Sequence, residues 1–542
     1  MKKRSIIAVA SLLTFVLVFS GCSSAPSKNE TKESTSSSSA INQTEDALEG
    51  EIVINVAANL NLGGWEAVAK KYMELHKKVN VVVDLKPQEE YKTWLETQLN
   101  SNDTKADLVK YEDTQNDVKI LNLLPYAKKV SPYSNKPWKE QFNFATQDVD
   151  LAKGEWKKFS PELVQVLWFY NKDLFRKAGL DPEKTPTTWD EMIKICETLY
   201  NKGIQPIGNS GDYNSMTTGS GQWLFRIYLD QYLRDYVDIS KSLPEDWCYD
   251  PEVDGVWKYD PMDPNNDDKI NMNVNSVRFN KALKDGKIRV DAPEYKAVLE
   301  NLKKVFPKYA GEDAWYGFVD PRDALYRQDA AMILDGSWTF GLIEQYEKDF
   351  EKSKKEAEEK GKEFPYSKFE WGVFKNPSME GELVDAPARS INVATNPVAI
   401  VSKDSLHNDL VVDFLMFYSS KDGMSIYLKG NVDAGGSLLG PNIVYDVEYP
   451  GNLKDTFGKV DSKVGNIEGK ITSSFAAAAS SLAASTRQWY IYTTGYFKGK
   501  VSIDEWGQKN QQNVEKYFDN ILKATKMKPE DLEHPEVKPN VD

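Results

Sequence analysis

The stretch EIVINVAANLNLGGWEAVAKKYMELHKKVNVVVDL, residues 51–85, contains two apolar runs on either side of an amphipathic segment. Residues 51–59 and 79–85 are rich in β-branched side chains, which is typical of buried strands. Between them, apolar residues recur at the spacing of one helix face: Trp65, Val68, Ala69, Tyr72 and Leu75. The pattern therefore predicts a strand, a helix and a second strand.

The same alternation continues through residue 113. Residues 89–101 form a second amphipathic segment, and residues 106–113 form a third apolar run. Strands that alternate with helices at this spacing predict a parallel sheet with helices packed on its faces. Ligands of such sheets bind at the carboxyl ends of the strands, which here are residues 59–64 and 111–114.

The first 47 residues have the pattern of an export signal followed by a tether. A positive head precedes a 14-residue apolar run, Ile6–Phe19, which is too short for a comfortable membrane span. Ser20-Gly21-Cys22 resembles the lipobox of bacterial lipoproteins, which implies a signal peptide over residues 1–21 and a lipid on Cys22; the alternative is a plain secretory signal. Residues 22–47 are almost devoid of aliphatic side chains and predict a flexible tether.

Composition disfavours several classes of protein. A net charge of −14 without any Lys/Arg-rich block argues against nucleic-acid binding. The three histidines lie far apart and lack HExxH spacing, so we predict neither a metal site nor a cofactor.

Cys196 and Cys248 are compatible with one disulfide or with buried thiols. The length predicts two or more domains.

Three segments resemble the extracellular solute-binding proteins of ABC sugar importers, the family related to maltose-binding protein. The first is YNKDLFRKAGLDPEKTPTTWDEM, residues 170–192, in which Thr187-Thr188 and Glu191 are typical of a helix start. The others are residues 326–344, with the motif DGSW, and residues 396–424. They occur in the family's order, and the resemblance spans roughly residues 50–525.

The resemblance implies an α/β type II periplasmic-binding fold, in which two α/β lobes are joined by a multi-crossing hinge with a ligand cleft between them. The first lobe would comprise residues 48–164 plus 392–470, and the second residues 165–391 plus 471–542. The implied protein is a monomeric, lipid-anchored receptor on the extracytoplasmic face of a bacterial cell membrane. It would capture a sugar or oligosaccharide by hinge closure and deliver it to the transmembrane permease subunits of an ABC importer.

A sugar site needs aromatic faces for C–H patches and polar side chains for hydroxyl groups. By resemblance, the stacking aromatics would be Trp338 and Trp489, and the loop 209–223 would contribute a contact segment. The full set of candidate ligand residues is Trp338, Trp489, Asp113, Glu112, Tyr111, Asp212, Tyr213, Trp223, Arg389, Trp65 and Asn59. Trp65 is also compatible with a place in the core, and Arg389 with a salt bridge across the hinge.

Two segments depart from the compact family pattern: the turn-rich residues 248–273 and the highly charged residues 345–364. Within the first, Asp263, Asn265 and Asp267 alternate as in a calcium loop. However, Asp268 stands where an EF-hand needs glycine, and Val274 stands where it needs glutamate, so an acidic surface turn is the preferred interpretation.

The sequence contains neither a GxSxG elbow nor a phosphate-binding glycine loop, and we expect the protein not to be an enzyme. Two alternatives stay open. One is a surface-anchored carbohydrate-active enzyme with a carboxylate pair, whose separation cannot be read from a sequence. The other is a receptor of the same fold for a solute that is not a sugar.

Overall fold

The computed structural model describes residues 48–57, 62–101, 104–111, 117–150, 154–268, 270–436, 438, 440–451, 453–457 and 483–539. The predicted signal peptide, Cys22 and the tether therefore lie outside the described residues, as do Asn59, Glu112 and Asp113. Within the described ranges, no helix combines the length and the apolar character that crossing a membrane requires.

The strands and helices alternate along the amino-terminal part and become mainly helical later. The strands are β1 (Gly50–Val56), β2 (Val79–Leu85), β3 (Leu108–Lys110), β4 (Val149–Asp150), β5 (Glu155–Trp156), β6 (Glu162–Asn171), β7 (Met332–Gly336), β8 (Trp371–Phe374), β9 (Asn392–Thr395) and β10 (Val398–Ile400). The helices are α1 (Leu62–Leu75), α2 (Tyr91–Asn100), α3 (Lys172–Ala178), α4 (Trp189–Asn201), α5 (Tyr213–Thr218), α6 (Ser220–Tyr232), α7 (Val237–Ser240), α8 (Ser276–Lys284), α9 (Pro293–Lys303), α10 (Pro321–Tyr326), α11 (Thr339–Glu359), α12 (Ser405–Tyr418), α13 (Lys421–Asp433), α14 (Leu453–Phe457), α15 (Ala483–Phe497), α16 (Ile503–Lys516) and α17 (Phe518–Ala524).

The first sheet has the strand order β10-β3-β1-β2. Strand β1 runs parallel to β2 and to β3, which confirms the parallel pairing predicted from the spacing of the apolar runs. Strand β3 is shorter than predicted and ends at Lys110. Strand β10 returns from a distant part of the chain and pairs antiparallel with β3, so the sheet is mixed.

The second sheet is built around β6, whose ten residues are all buried. Its carboxyl half pairs antiparallel with β7 and with β8. Its amino half, residues 162–165, pairs antiparallel with β9, which precedes β10 of the first sheet by two residues. Strands β6 and β9 therefore carry the chain between the two sheets.

The described apolar side chains form two large buried clusters. One draws mainly on residues 166–391 and 489–521, and the other mainly on residues 52–163 and 398–457. Strand β6 serves both, since Trp168 belongs to the first cluster and Leu167 and Phe169 belong to the second. This division follows from the alternation of side chains along a strand.

The local start signal at residues 187–191 is confirmed. The Thr188 side chain accepts a hydrogen bond from the Glu191 amide, and the Glu191 carboxylate accepts one from the Thr188 amide, which completes a capping box at the start of α4. Cys196, on the same helix, and Cys248 are buried free thiols, so the buried-thiol interpretation describes them and they do not form a disulfide.

Candidate functional site

Trp338 lies in the short turn that joins β7 to α11. The strand ends at Gly336 and the helix begins at Thr339, so the tryptophan stands at the carboxyl end of a buried strand. Its ring lies directly over Gly336, because a Cβ atom at position 336 would come within 2.6 Å of ring atoms. Glycine at this position is therefore what allows the half-buried ring to fold against the turn.

Trp223 meets Trp338 although 115 residues separate them in the sequence. The two ring centroids are 5.8 Å apart and the rings are inclined at 68°, an edge-to-face arrangement. Trp223 lies in the first turn of α6 and is half-buried, like its partner. The structure thus brings two of the predicted ligand residues together into an aromatic corner.

Asp335 lies beneath this corner and holds the turn in place. Its carboxylate accepts hydrogen bonds of 2.8 Å from the Gly336 amide and 2.8 Å from the Thr339 hydroxyl. Burial raises the pKa of Asp335, and these hydrogen bonds, a nearby Arg322 and a hydrogen bond from the Trp338 side chain oppose that effect. Sequence reasoning missed Asp335, although an acid at the carboxyl end of a strand is the signal that identified Asp113.

The loop 209–212 is fastened to the same strand. The Asn209 side chain donates to the Leu334 carbonyl at 2.9 Å and accepts from the Leu334 amide at 2.7 Å. Asp212 caps α5 by accepting a hydrogen bond of 3.1 Å from the Ser215 amide. This fixed loop places Tyr213 at the surface, where its side chain is 37% exposed.

Trp489 is buried, with 6% exposure, and its ring packs 5.5 Å from that of Phe225 in the core. The next residue, Tyr490, is half-buried and meets Tyr213 at a centroid distance of 5.3 Å. Successive helical residues point about 100° apart, so Trp489 enters the core while Tyr490 packs partly buried at its margin. Sequence reasoning selected Trp489 and missed Tyr490 as the ring on the more accessible side.

Trp65 lies on α1, and Tyr111 directly follows β3. Among the described aromatic residues, neither ring contacts the corner of Trp223 and Trp338. Trp65 is 3% exposed and stacks on Tyr418 at 4.6 Å, so the core interpretation describes it. Tyr111 follows β3, is half-buried, and has the Lys158 ammonium 5.0 Å from its ring centroid. Contact of either residue with a ligand stays a prediction.

Arg389 is buried in an ion-pair cluster. Its guanidinium donates to Asp230 at 2.8 and 3.0 Å and to Asp267 at 2.6 and 2.9 Å. It also donates to the Pro264 carbonyl at 2.9 Å, and Arg234 shares Asp230 at 2.8 Å. Burial opposes the charge of Arg389, but the two carboxylates outweigh it and raise its pKa.

This cluster corrects the picture of Arg389 as a group that faces a ligand. Each guanidinium nitrogen already donates to protein oxygens. Asp230 and Asp267 both lie within residues 165–391, so the pair does not cross between the segments predicted as lobes. Both carboxylate oxygens of Asp267 accept from Arg389, and the described residues contain no group of three or more metal-ligating side chains.

Comparison with known proteins identifies the family. The family described as bacterial extracellular solute-binding protein matches residues 60–425 of the chain. The chain belongs to this family. The resemblance inferred from residues 170–192, 326–344 and 396–424 is therefore confirmed.

Solved structures of solute-binding proteins share the fold at low sequence identity. The cyclic alpha-maltosyl-1,6-maltose binding protein from Arthrobacter globiformis has a TM-score of 0.50 and 16% identity, covering 87% of this chain and 100% of that chain. A family 1 extracellular solute-binding protein from Bifidobacterium longum subsp. infantis has 0.51 and 15%, covering 86% and 99%. The apo form of RafE from Streptococcus pneumoniae has 0.51 and 17%, covering 87% and 97%.

Curated relatives match over a short segment. The sn-glycerol-3-phosphate-binding periplasmic protein UgpB of Brucella abortus is 45% identical over 40 residues, which is 7% of this chain and 9% of that protein. The UgpB of Pectobacterium atrosepticum is 49% identical over 37 residues, 7% of this chain and 8% of that protein. The chain thus matches less than a tenth of the length of these relatives. The family and the fold together make the protein a type II solute-binding protein of α/β architecture.

Proposed function

We propose that this protein is a lipid-anchored extracytoplasmic receptor that captures a sugar or oligosaccharide and delivers it to an ABC importer. The observation that carries the proposal is the aromatic corner of Trp223 and Trp338 above the buried carboxylate of Asp335. Pyranose rings present flat C–H patches that pack on aromatic faces, while their hydroxyl groups need polar partners. The corner supplies aromatic faces with a carboxylate held close by.

The proposed mechanism is hinge closure between two lobes. We assign residues 48–164 plus 392–470 to the first lobe and residues 165–391 plus 471–542 to the second. The two buried clusters, which draw mainly on these same segments, support the assignment. A ligand that touches both lobes only in the closed form shifts the population toward closure by the difference between its affinities for the two forms.

The crossing strands β6 and β9 are the elements that would guide this motion. Gln165 on β6 donates to Asn392 on β9 at 2.8 Å, and both side chains are buried. Such a pairing holds the strands in register while loop residues at their ends absorb the rotation. The motion would bring the end of β3, at Tyr111, toward the aromatic corner.

The anchor and the partner complete the proposal. Lipidation of Cys22 would attach two acyl chains, which is the minimum for stable membrane binding. The monomeric receptor would then present its closed form to transmembrane permease subunits. The resemblance of Ser20-Gly21-Cys22 to a lipobox supports the anchor, and membership of the solute-binding family supports the partner.

A thermal-shift screen tests the cargo. The full-length protein, purified in detergent, is heated with mono- and oligosaccharides and with sn-glycerol 3-phosphate, the solute for which UgpB is named. A ligand at a hundred times its Kd should add about 2.7 kcal/mol to the free energy of unfolding. A shift with one glycan class, and recovery of that glycan intact, is the expected result. A shift with sn-glycerol 3-phosphate alone would overturn the sugar cargo, and breakdown of the glycan would overturn the receptor.

A further inference from the structure

An arginine lies beside the turn that carries Trp338. Arg322 is the second residue of α10, the helix that precedes β7 and packs against it. Its Nε atom is 3.9 Å from Oδ2 of Asp335, and Oδ1 of the same carboxylate accepts from the Gly336 amide at 2.8 Å. The Trp338 ring lies over that glycine. The guanidinium and the aromatic ring therefore adjoin the same two-residue turn.

The Arg322 guanidinium is loosely held by the protein. Its Nε atom is 3.4 Å from Oδ1 of Asp320, and the two side chains are 39% and 43% exposed. The 3.9 Å separation from Asp335 is beyond hydrogen-bonding distance, and that oxygen already accepts from the Thr339 hydroxyl at 2.8 Å. The two terminal nitrogens of Arg322 donate no hydrogen bond to the part of the chain that the structure describes. The N–H groups on these nitrogens are available to a ligand.

Arg327, five residues further on, is paired more tightly at nearly the same exposure. Its side chain is 40% exposed, and its Nε atom donates to Asp329 at 2.9 Å. The chain has 82 acidic residues against 68 lysines and arginines, so carboxylate partners are plentiful. A shortage of carboxylates therefore does not explain the loose pairing of Arg322, which leaves its charge open to an anion from outside the protein.

The chemistry of a guanidinium indicates what such an anion would be. Arginine binds carboxylates and phosphates through two parallel, charge-assisted hydrogen bonds. Uronic acids and sugar phosphates carry these groups on a pyranose ring, whose C–H face can still pack on an aromatic ring. Asp320 would be displaced at little cost, because an exposed pair of this kind contributes at most about 1 kcal/mol.

We propose that Arg322 binds an acidic substituent of the captured glycan, a carboxylate or a phosphate, so that the receptor selects acidic sugars over neutral ones. The proposal rests on sugar capture as the proposed function. The pyranose ring stacks on Trp338, and its acidic group pairs with the terminal nitrogens of Arg322. A neutral sugar makes the stacking contact without the ion pair and therefore binds more weakly.

The test compares glycans that differ only in charge. Isothermal titration of the full-length protein in detergent uses oligogalacturonides against their methyl esters, and glucuronic acid and glucose 6-phosphate against glucose. The wild type should bind the acidic member of a pair about tenfold more tightly, and added salt should reduce this preference.

Three variants locate the preference. Arg322→Gln should abolish it, and its thermal midpoint should stay close to that of the wild type, because the pair with Asp320 is exposed. Arg322→Lys keeps the charge without the paired geometry and should retain part of the preference, which keeps the test decisive if glutamine disturbs the fold. Arg327→Gln is the matched control, at equal exposure on the same helix end, and should retain the wild-type preference.

The outcomes separate this proposal from sugar capture itself. A preference that is lost in Arg322→Gln and kept in Arg327→Gln supports the proposal, and the tighter of glucuronic acid and glucose 6-phosphate then identifies the group that is recognised. Equal affinity for acidic and neutral glycans, tighter binding of the neutral ones, or an acidic preference that survives in Arg322→Gln would overturn it while sugar capture stands. Binding of no glycan, acidic or neutral, would overturn both proposals.

Discussion

The Trp338→Ala substitution tests the placement of the candidate site directly. The ring of Trp338 lies over Gly336, and its centroid is 5.8 Å from that of Trp223. The ring is half-buried, so part of it is accessible. A sugar stacked on the Trp338 ring would lose that contact when the side chain is replaced by alanine. The turn itself keeps the Asp335 hydrogen bonds to Gly336 and Thr339, so the local backbone should persist.

The expected loss is about 2 kcal/mol. An aromatic contact contributes about 0.5–1.5 kcal/mol beyond the area that it buries. Removing about 40 Å² of buried apolar contact costs about 1 kcal/mol more. Together these terms correspond to a Kd about thirtyfold higher.

Titration calorimetry with the glycan identified in the screen measures this change. Trp257→Ala is the matched control, because Trp257 is also half-buried and lies in the 248–273 segment, where its indole donates to the Asn266 carbonyl at 2.9 Å. The control should leave the Kd within twofold of the wild type. A Trp338→Ala variant that keeps the wild-type thermal midpoint and also the wild-type Kd would refute the placement of the cleft.

Three further substitutions follow from the same geometry. Gly336→Ala puts a Cβ atom within 2.6 Å of the Trp338 ring, so the ring must move. Titration should show weaker glycan binding, while the thermal midpoint stays close to that of the wild type. Asp267→Asn removes one charged partner of the buried Arg389 and should lower the free energy of unfolding by about 3 kcal/mol, seen as a lower thermal midpoint. Asp335→Asn should alter the pH dependence of stability. The pKa of Asp335 is raised above 3.8 in the folded state, so the folded protein keeps a proton that the unfolded chain has already lost. The free energy of unfolding of the wild type therefore falls as pH rises from 3.8 to the raised pKa. The thermal midpoint of the variant, measured against pH, should lack this decrease.

The first two predictions have matched controls, and the third is compared with the wild type. Gly317→Ala adds a Cβ atom no closer than 3.4 Å to its nearest neighbour and should bind like the wild type. Asp320→Asn breaks a 3.4 Å pair with Arg322 in which both side chains are more than a third exposed, and should cost less than about 1 kcal/mol. Equal destabilisation by Asp267→Asn and Asp320→Asn would contradict the buried-pair argument. Parallel pH curves for Asp335→Asn and the wild type would contradict the linkage argument.

Much of the local structure could be predicted because its causes are local. The β-branched runs and the 3.6-residue apolar spacing of residues 51–85 correspond to β1, α1 and β2, and β1 and β2 pair in parallel as predicted. Thr188 and Glu191 mark a helix start because both ends of the capping box lie within four residues. The family could also be recognised, because its segments occur in order along the chain.

The make-up of the candidate site was less predictable. Trp338 and Trp223 were both selected, but their contact depends on how β7 and α6 pack. Trp489 was selected and Tyr490 was not, since the choice between neighbouring helical residues is made by the rotation of α15 against Phe225. Asp335 was missed although it stands near the end of a strand, because its burial under the turn depends on tertiary packing that the sequence does not show.

Arg389 shows most clearly the difference between what a sequence pattern predicts and what tertiary packing decides. The order of residues alone allowed us to infer alternating strands and helices, membership of the solute-binding family, and aromatic residues after the strands. Whether a given charged or aromatic side chain faces a ligand or a neighbour was decided only by the tertiary structure, which brings Asp230 and Asp267 around Arg389 from positions 159 and 122 residues away. Periodicity reports which face of an element is apolar, but the partners across that face come from segments remote in the chain.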